Sequence, residues 1–288
     1  MEINTTGTWK NFRTLFKSGL VGALILLLLI PTAFIQNLVS ERQDRQRQAV
    51  AEIGSRWAGS QTVTGPVIGV PYFDSVPAAG GYTRTKRWAY FLPDKLDIHS
   101  TIVPEKRYRG IYEVIVYTTQ LDIRGGFDGL HLEELGLGAP NMLWKEAQVF
   151  FNISDLQGLN EDVVLHLATK GGAAAPGADS SELRLAAGKV TTEQWSNALT
   201  APLPGWAAGL AAGGDQGQPL EFSTQVRMKG SGDLLFVPVG KETKVSATSS
   251  WPSPSFTGSA LPDVRTVQNN GFVADWRVIA LHRKFPQQ

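Results

Sequence analysis

From Ser18 to Ser40 the chain carries no charged residue, and inside that window Leu20-Val21-Gly22-Ala23-Leu24-Ile25-Leu26-Leu27-Leu28-Leu29-Ile30 is continuously apolar or small. A helix rises about 1.5 Å per residue, so these roughly 23 positions reach about 34 Å, enough for a hydrocarbon core of about 30 Å. Pro31 falls just after the continuous apolar run, and a membrane helix tolerates proline. The rival is a cleavable signal peptide, whose apolar region is shorter and ends in a small-x-small site. Phe34 and Gln36 spoil the better candidate sites here. The pattern predicts an uncleaved transmembrane anchor at 18–40 in contact with the lipid bilayer, after a short cytoplasmic tail at 1–17.

Beyond the anchor, Glu41 to Trp57 reads as a continuing helix, with Glu41/Arg45 and Glu52/Arg56 as opposite charges at i,i+4. Its first half is polar on every side, which suits a solvated stalk, and Ala49, Ile53 and Trp57 then add an apolar stripe able to dock on the domain. Gly59 is the expected stop, giving a helical stalk at 41–59.

From Gln61 the period changes to two. Strands are predicted at 67–72, 88–92, 96–103, 111–123, 149–153, 163–168, 183–186, 222–228, 234–239, 245–249 and 272–279. Leu96, Ile98 and Ile102 share one face of their run. Ile111 to Tyr117 is more uniformly apolar and reads as a central, doubly covered strand. Turn formers separate the runs at Pro93-Asp94, Gly125-Gly126, Gly230-Ser231-Gly232 and Asn269-Asn270-Gly271. Many short strands and few long helices predict a mainly β fold, an antiparallel β-sandwich-like domain over 60–288. Two small-residue stretches, Gly171 to Ser181 and Ala207 to Gln218, mark a flexible peripheral insertion around 170–218, with a short helix over Thr191–Leu199 between them.

Lys10, Arg13 and Lys17 before the anchor balance Arg42, Arg45 and Arg47 after it, so basic residues alone do not orient it. A long domain is translocated largely regardless of flanking charge, which places the bulk outside, in a bacterial periplasm. The 288 residues include no cysteine, which removes disulfides, thiol nucleophiles and Cys-based zinc sites. A net charge of +1 gives no basic face for nucleic acid.

Chemistry is sparse. His99, His131, His166 and His282 are scattered, and none sits in an HExxH arrangement. His131 with Glu133 and Glu134 is a weak metal candidate, more simply read as solvated surface, and no metal or cofactor is expected. No GxSxG elbow, Walker loop or Rossmann glycine pattern is present. The distinctive segment is Trp251-Pro252-Ser253-Pro254-Ser255-Phe256-Thr257-Gly258, where proline fixes its own φ and restricts its predecessor. Trp251, Pro252, Pro254 and Phe256 form the candidate ligand or partner surface. The plainer reading is that both rings close the end of the sandwich.

The chain resembles the CreD family of bacterial inner-membrane proteins, linked to cell-envelope integrity. The matching residues are Glu41-Arg42-Gln43, Arg47, Glu52-Ile53, Trp57, Gln61, Gly65-Pro66 and Pro71-Tyr72. Gly125-Gly126-Phe127, the 230–240 stretch with Lys241 and Thr243, 251–258, Leu261-Pro262, Gly271-Phe272 and Trp276 complete the set. The resemblance implies a membrane protein with a large periplasmic β-rich domain in a regulon that answers envelope stress, and carries over no catalytic residues. It also implies further membrane helices, yet nothing after Val39 is apolar for long enough to span a bilayer. A fragment or a shortened family member is expected.

Together these readings predict a non-enzymatic inner-membrane protein. Its periplasmic domain is expected to bind an envelope lipid, a glycan or a membrane-protein partner. The alternatives are a sensor domain, or a periplasmic hydrolase in which some of His99, His131, His166, Asp233 and Glu242 converge.

Overall fold

The computed structural model describes residues 6–78, 81–132, 141–169, 179–188, 198–212 and 218–282, with side chains except at 6–15, 26, 29–30, 33, 76–78, 211–212 and 282. The chain forms two compact units, Met1–Glu52 and Ile53–Gln288.

Helix α1 (Thr6–Trp57) is continuous for 52 residues, so the predicted apolar and polar helices are one element. Its apolar surface is open, with Leu20, Leu27, Leu28, Phe34 and Ile35 each more than half exposed. Thr32 Oγ1 donates to the Leu28 carbonyl at 3.0 Å, so this hydroxyl is satisfied within the helix. The expected i,i+4 pair forms, with Arg45 Nη2 2.7 Å from Glu41 Oε1. Among the described residues, no helix is long and apolar enough to cross a membrane.

The second unit is mainly β. Its strands are β1 (Gln61–Ala78), β2 (Gly81–Phe91), β3 (Lys95–Arg109), β4 (Tyr112–Phe127), β5 (Gln148–Ile153), β6 (Val163–Thr169), β7 (Ser180–Ala187), β8 (Ala198–Pro202), β9 (Leu220–Ser231), β10 (Leu234–Phe236), β11 (Glu242–Ser249), β12 (Val264–Gln268) and β13 (Gly271–Ile279). They make one large open sheet in the order β10-β1-β5-β8-β7-β6-β9-β4-β3-β11-β13-β12, with β2 also on β1. The sheet is mixed, which corrects the antiparallel expectation. β1 pairs parallel with β10, and β3 pairs parallel with β11. Parallel neighbours need a long crossover, and strand periodicity carries no sign of one.

Alternation builds the core. β9 buries Leu220, Phe222, Thr224, Val226 and Met228 and turns the residues between them outward. Those side chains join Leu121, Ile123, Leu165 and Leu167 from one limb of the sheet and Val67, Val149, Phe151 and Ile153 from the other. One apolar cluster thus lies between the two limbs, and Phe127 and Phe151 are among its largest fully buried members.

The predicted insertion is not peripheral. It contributes β7 and β8, which link the two limbs, and helix α2 (Gly205–Ala212), which buries Ala207 and Ala208. The predicted helix over Thr191–Leu199 lies mostly outside the described residues, and its last two positions open β8. Gly125-Gly126 is not a turn but part of β4. β4 is central, between β3 and β9, yet only part of its start is covered: Val114, Val116 and Tyr117 are buried, while Glu113 faces solvent.

Candidate functional site

The 251–258 loop follows β11 and precedes β12, and its two rings occupy separate surroundings. The Trp251 indole N–H donates to the Ser253 carbonyl at 2.8 Å, closing the loop on itself, and its backbone N–H donates to Ser249 Oγ at 3.1 Å. Lys106 Nζ stands 5.9 Å from the Trp251 ring. Phe256 packs edge-on against Phe272 and Trp276 of β13, both at 5.6 Å between centroids. Pro252 is exposed and Pro254 half-buried. A neighbouring depression of about 500 Å³ is lined by Thr101, Val103, Thr248, Thr266, Phe272 and Val273, and by none of the four candidate residues. The four therefore form a stiff rim rather than the walls of one groove.

A wider depression of about 1100 Å³ lies over the outward side of β3, β4, β9, β6 and β7. Asp97, Arg124, Ser223, His166 and Glu182 cross it as one register row. His166 Nδ1 is 3.6 Å from Glu182 Oε1, and Gln225 Nε2 donates to Asp122 Oδ1 at 2.6 Å. Of the five groups offered for hydrolysis only His166 lines this depression. His99 sits opposite Asp122 in the ladder, and Glu242 accepts from Arg277 Nε at 2.6 Å. That guanidinium holds the Glu242 carboxyl below its ordinary range. Glu133 and Glu134, the suggested metal partners of His131, lie outside the described residues.

Sequence reasoning gave little weight to the place where α1 ends and β1 begins. Trp57 Nε1 donates to the Tyr117 carbonyl at 3.3 Å, while Arg107 and Lys229 each stand 4.8 Å from the indole centroid. Gln61 is fully buried, and its Nε2 donates to the carbonyls of Asp155 and Lys229 at 3.0 and 2.9 Å. Ser231 Oγ donates to the Ala58 carbonyl at 2.7 Å, and Tyr117 OH to that of Asp233 at 2.8 Å. Burial pushes the Tyr117 phenol well above its ordinary pKa, so it stays a neutral donor. The available signal was the resemblance carried by Trp57 and Gln61; pattern alone reads a lone Gln ahead of the first predicted strand as surface.

A family model described as "Inner membrane protein CreD" matches residues 13–288, nearly the whole chain. The chain belongs to the CreD family. It is similar to the inner membrane protein CreD of Escherichia coli (strain K12), 30% identical over 264 residues that cover 90% of this chain and 54% of that protein. The chain thus spans about half the length of the curated CreD protein it matches. The resemblance expected from the stalk and the 251–258 motif is confirmed, and the match runs across both compact units.

Proposed function

We propose that this CreD-family chain is a non-enzymatic inner-membrane protein that contributes to envelope integrity or the envelope-stress response. Residues 18–40 span the bilayer once, 1–17 stay cytoplasmic, and the β domain works in the periplasm. There it binds an envelope lipid, a glycan or a membrane-protein partner. The observation that carries this reading is an uncharged stretch of continuous helix whose apolar side chains have no protein cover, Leu27 at 64% and Phe34 at 71% exposure among them. Helices apolar all round are buried in protein or in lipid. The family supplies the membrane.

The interior between the sheet limbs is filled by aromatic and aliphatic side chains, which favours contacts through the outer surface. Dispersal of His99, Asp233 and Glu242 away from the wide depression gives the hydrolase reading no support.

The test is fractionation of cells expressing the full chain. It is expected in the membrane pellet after an alkaline carbonate wash, with the β domain digested by protease added to spheroplasts. A soluble polypeptide trimmed just after residue 40 would overturn the reading.

A further inference from the structure

We propose that the tip of the β3–β4 hairpin, Tyr108 to Tyr112, is a second membrane contact that seats in the interfacial layer of the bilayer. The inference rests on the anchored reading above. The hairpin closes with a two-residue loop, Gly110-Ile111, between paired Arg109 and Tyr112, and Gly110 has φ 59°. Such a turn needs glycine at its first central position and asks for nothing apolar at the second. The second residue is nevertheless Ile111, at 87% exposure. A large aliphatic side chain at the outermost point of a hairpin makes no packing gain inside the molecule, and beside exposed Tyr108 it forms an apolar point open to a contact made elsewhere.

The flanks identify the contact. Tyr108 is 67% exposed and Tyr112 lies across the turn, with Lys106, Arg107 and Arg109 on the same hairpin. An apolar point ringed by tyrosines and cations is the composition that settles at headgroup depth. Lys106 pairs with Glu113 at 2.8 Å and Arg107 with Glu105 at 3.0 Å, so these two cations are locally compensated. Attraction at the tip is therefore chiefly apolar and interfacial rather than electrostatic.

The base of the hairpin is fixed. Arg107 stacks on Trp57, and the Tyr117 carbonyl accepts from the same indole, so the tip stands on a rigid foot. Sixteen residues separate Ser40 from Trp57 in the sequence, so under the anchored reading the hairpin and the bilayer-spanning segment belong to one chain. Attachment to the same chain raises the effective concentration of lipid for a weak apolar contact.

The absence of cysteine gives a direct test. Ile111→Cys, and separately Tyr108→Cys, carry an environment-sensitive fluorophore in the full chain, reconstituted in nanodiscs of phosphatidylethanolamine and phosphatidylglycerol. Ile25→Cys reports the anchor, and Glu182→Cys the outward side of β7. Headgroup-depth spin-labelled lipid is expected to quench positions 111 and 108 at least about twofold more than 182, and acyl-chain spin-labelled lipid to quench position 25. Quenching at 25 with 111 and 108 no different from 182 overturns the hairpin contact and leaves the anchor standing. Shielding of 111 from aqueous quencher without lipid quenching also overturns it, in favour of a protein partner or a second copy. Quenching at 111 without quenching at 25 supports the hairpin contact and sinks the anchored reading.

Discussion

Gln61 Nε2 donates to the Lys229 carbonyl at 2.9 Å, tying the first residue of β1 to β9 across 168 positions of sequence. The same amide donates to the Asp155 carbonyl, and its Oε1 accepts from the Asp155 N–H at 3.2 Å. Replacing it by leucine leaves three backbone groups of a buried corner without partners. At about 1–3 kcal/mol for each orphaned group, partly recovered by entering water, Gln61→Leu is expected to cost about 3 kcal/mol. Thermal unfolding of the full chain in mild detergent, followed by tryptophan fluorescence, checks it. An unchanged midpoint would show that the amide network contributes nothing.

Gly125 illustrates a different constraint. A Cβ there would collide with the Lys95 carbonyl of β3 and the Phe222 ring of β9. Backbone on one side and a core aromatic on the other leave no flexible neighbour to yield, so Gly125→Ala is expected to destabilise by about 2 kcal/mol or more. Gly209 in α2 meets nothing within 4 Å. Gly209→Ala is expected to stabilise by about 0.5–1 kcal/mol through helix propensity. Opposite signs in the same unfolding assay are the expected result, and like signs would contradict the packing account.

How much of this was legible in the sequence depended on burial on one side. β6, β9 and β11 alternate apolar and polar residues, so their periods announced them. β12 is exposed at all five positions and β8 is a short run of small residues, so neither carried a pattern. Ile111 was read as the start of a covered strand because its neighbours are apolar; it is instead the tip of a turn. The parallel pairings depend on contacts more than a hundred positions apart, which no local window encodes. The Trp251 and Phe256 rings were identified as a pair, but only the ladder of β11, β13 and β12 shows that they face different neighbours.

Glu242 supplies a pH prediction. Its hydrogen bond and ion pair with Arg277 lower its folded pKa below the unfolded value near 4.5. A depressed carboxyl contributes stability that is present above the unfolded pKa and lost as pH falls through the folded one. The protein is therefore expected to lose part of its thermal stability on acidification below about pH 4.5. Glu242→Gln should flatten that part of the profile while leaving the basic side unchanged. Coincident acid limbs for the two proteins would remove Glu242 from the account.

Trp251 and Phe256 separate fold from surface. Phe256 loses two edge-on aromatic partners on truncation, and at about 0.5–1.5 kcal/mol per ring pair beyond area burial Phe256→Ala is expected to cost about 2 kcal/mol. Among the bonds described, Trp251 hydrogen-bonds only to its near neighbours, Ser253 in the loop and Ser249 at the end of β11. Trp251→Ala is accordingly expected to cost less than about 1 kcal/mol. If the rim contacts an envelope component, a photocrosslinker at exposed Ser255 captures less of it in Trp251→Ala than in the parent, at equal amounts of folded protein. Equal capture from both would leave the rings with a packing role alone, Phe256 on β13 and Trp251 as the clasp of a proline loop.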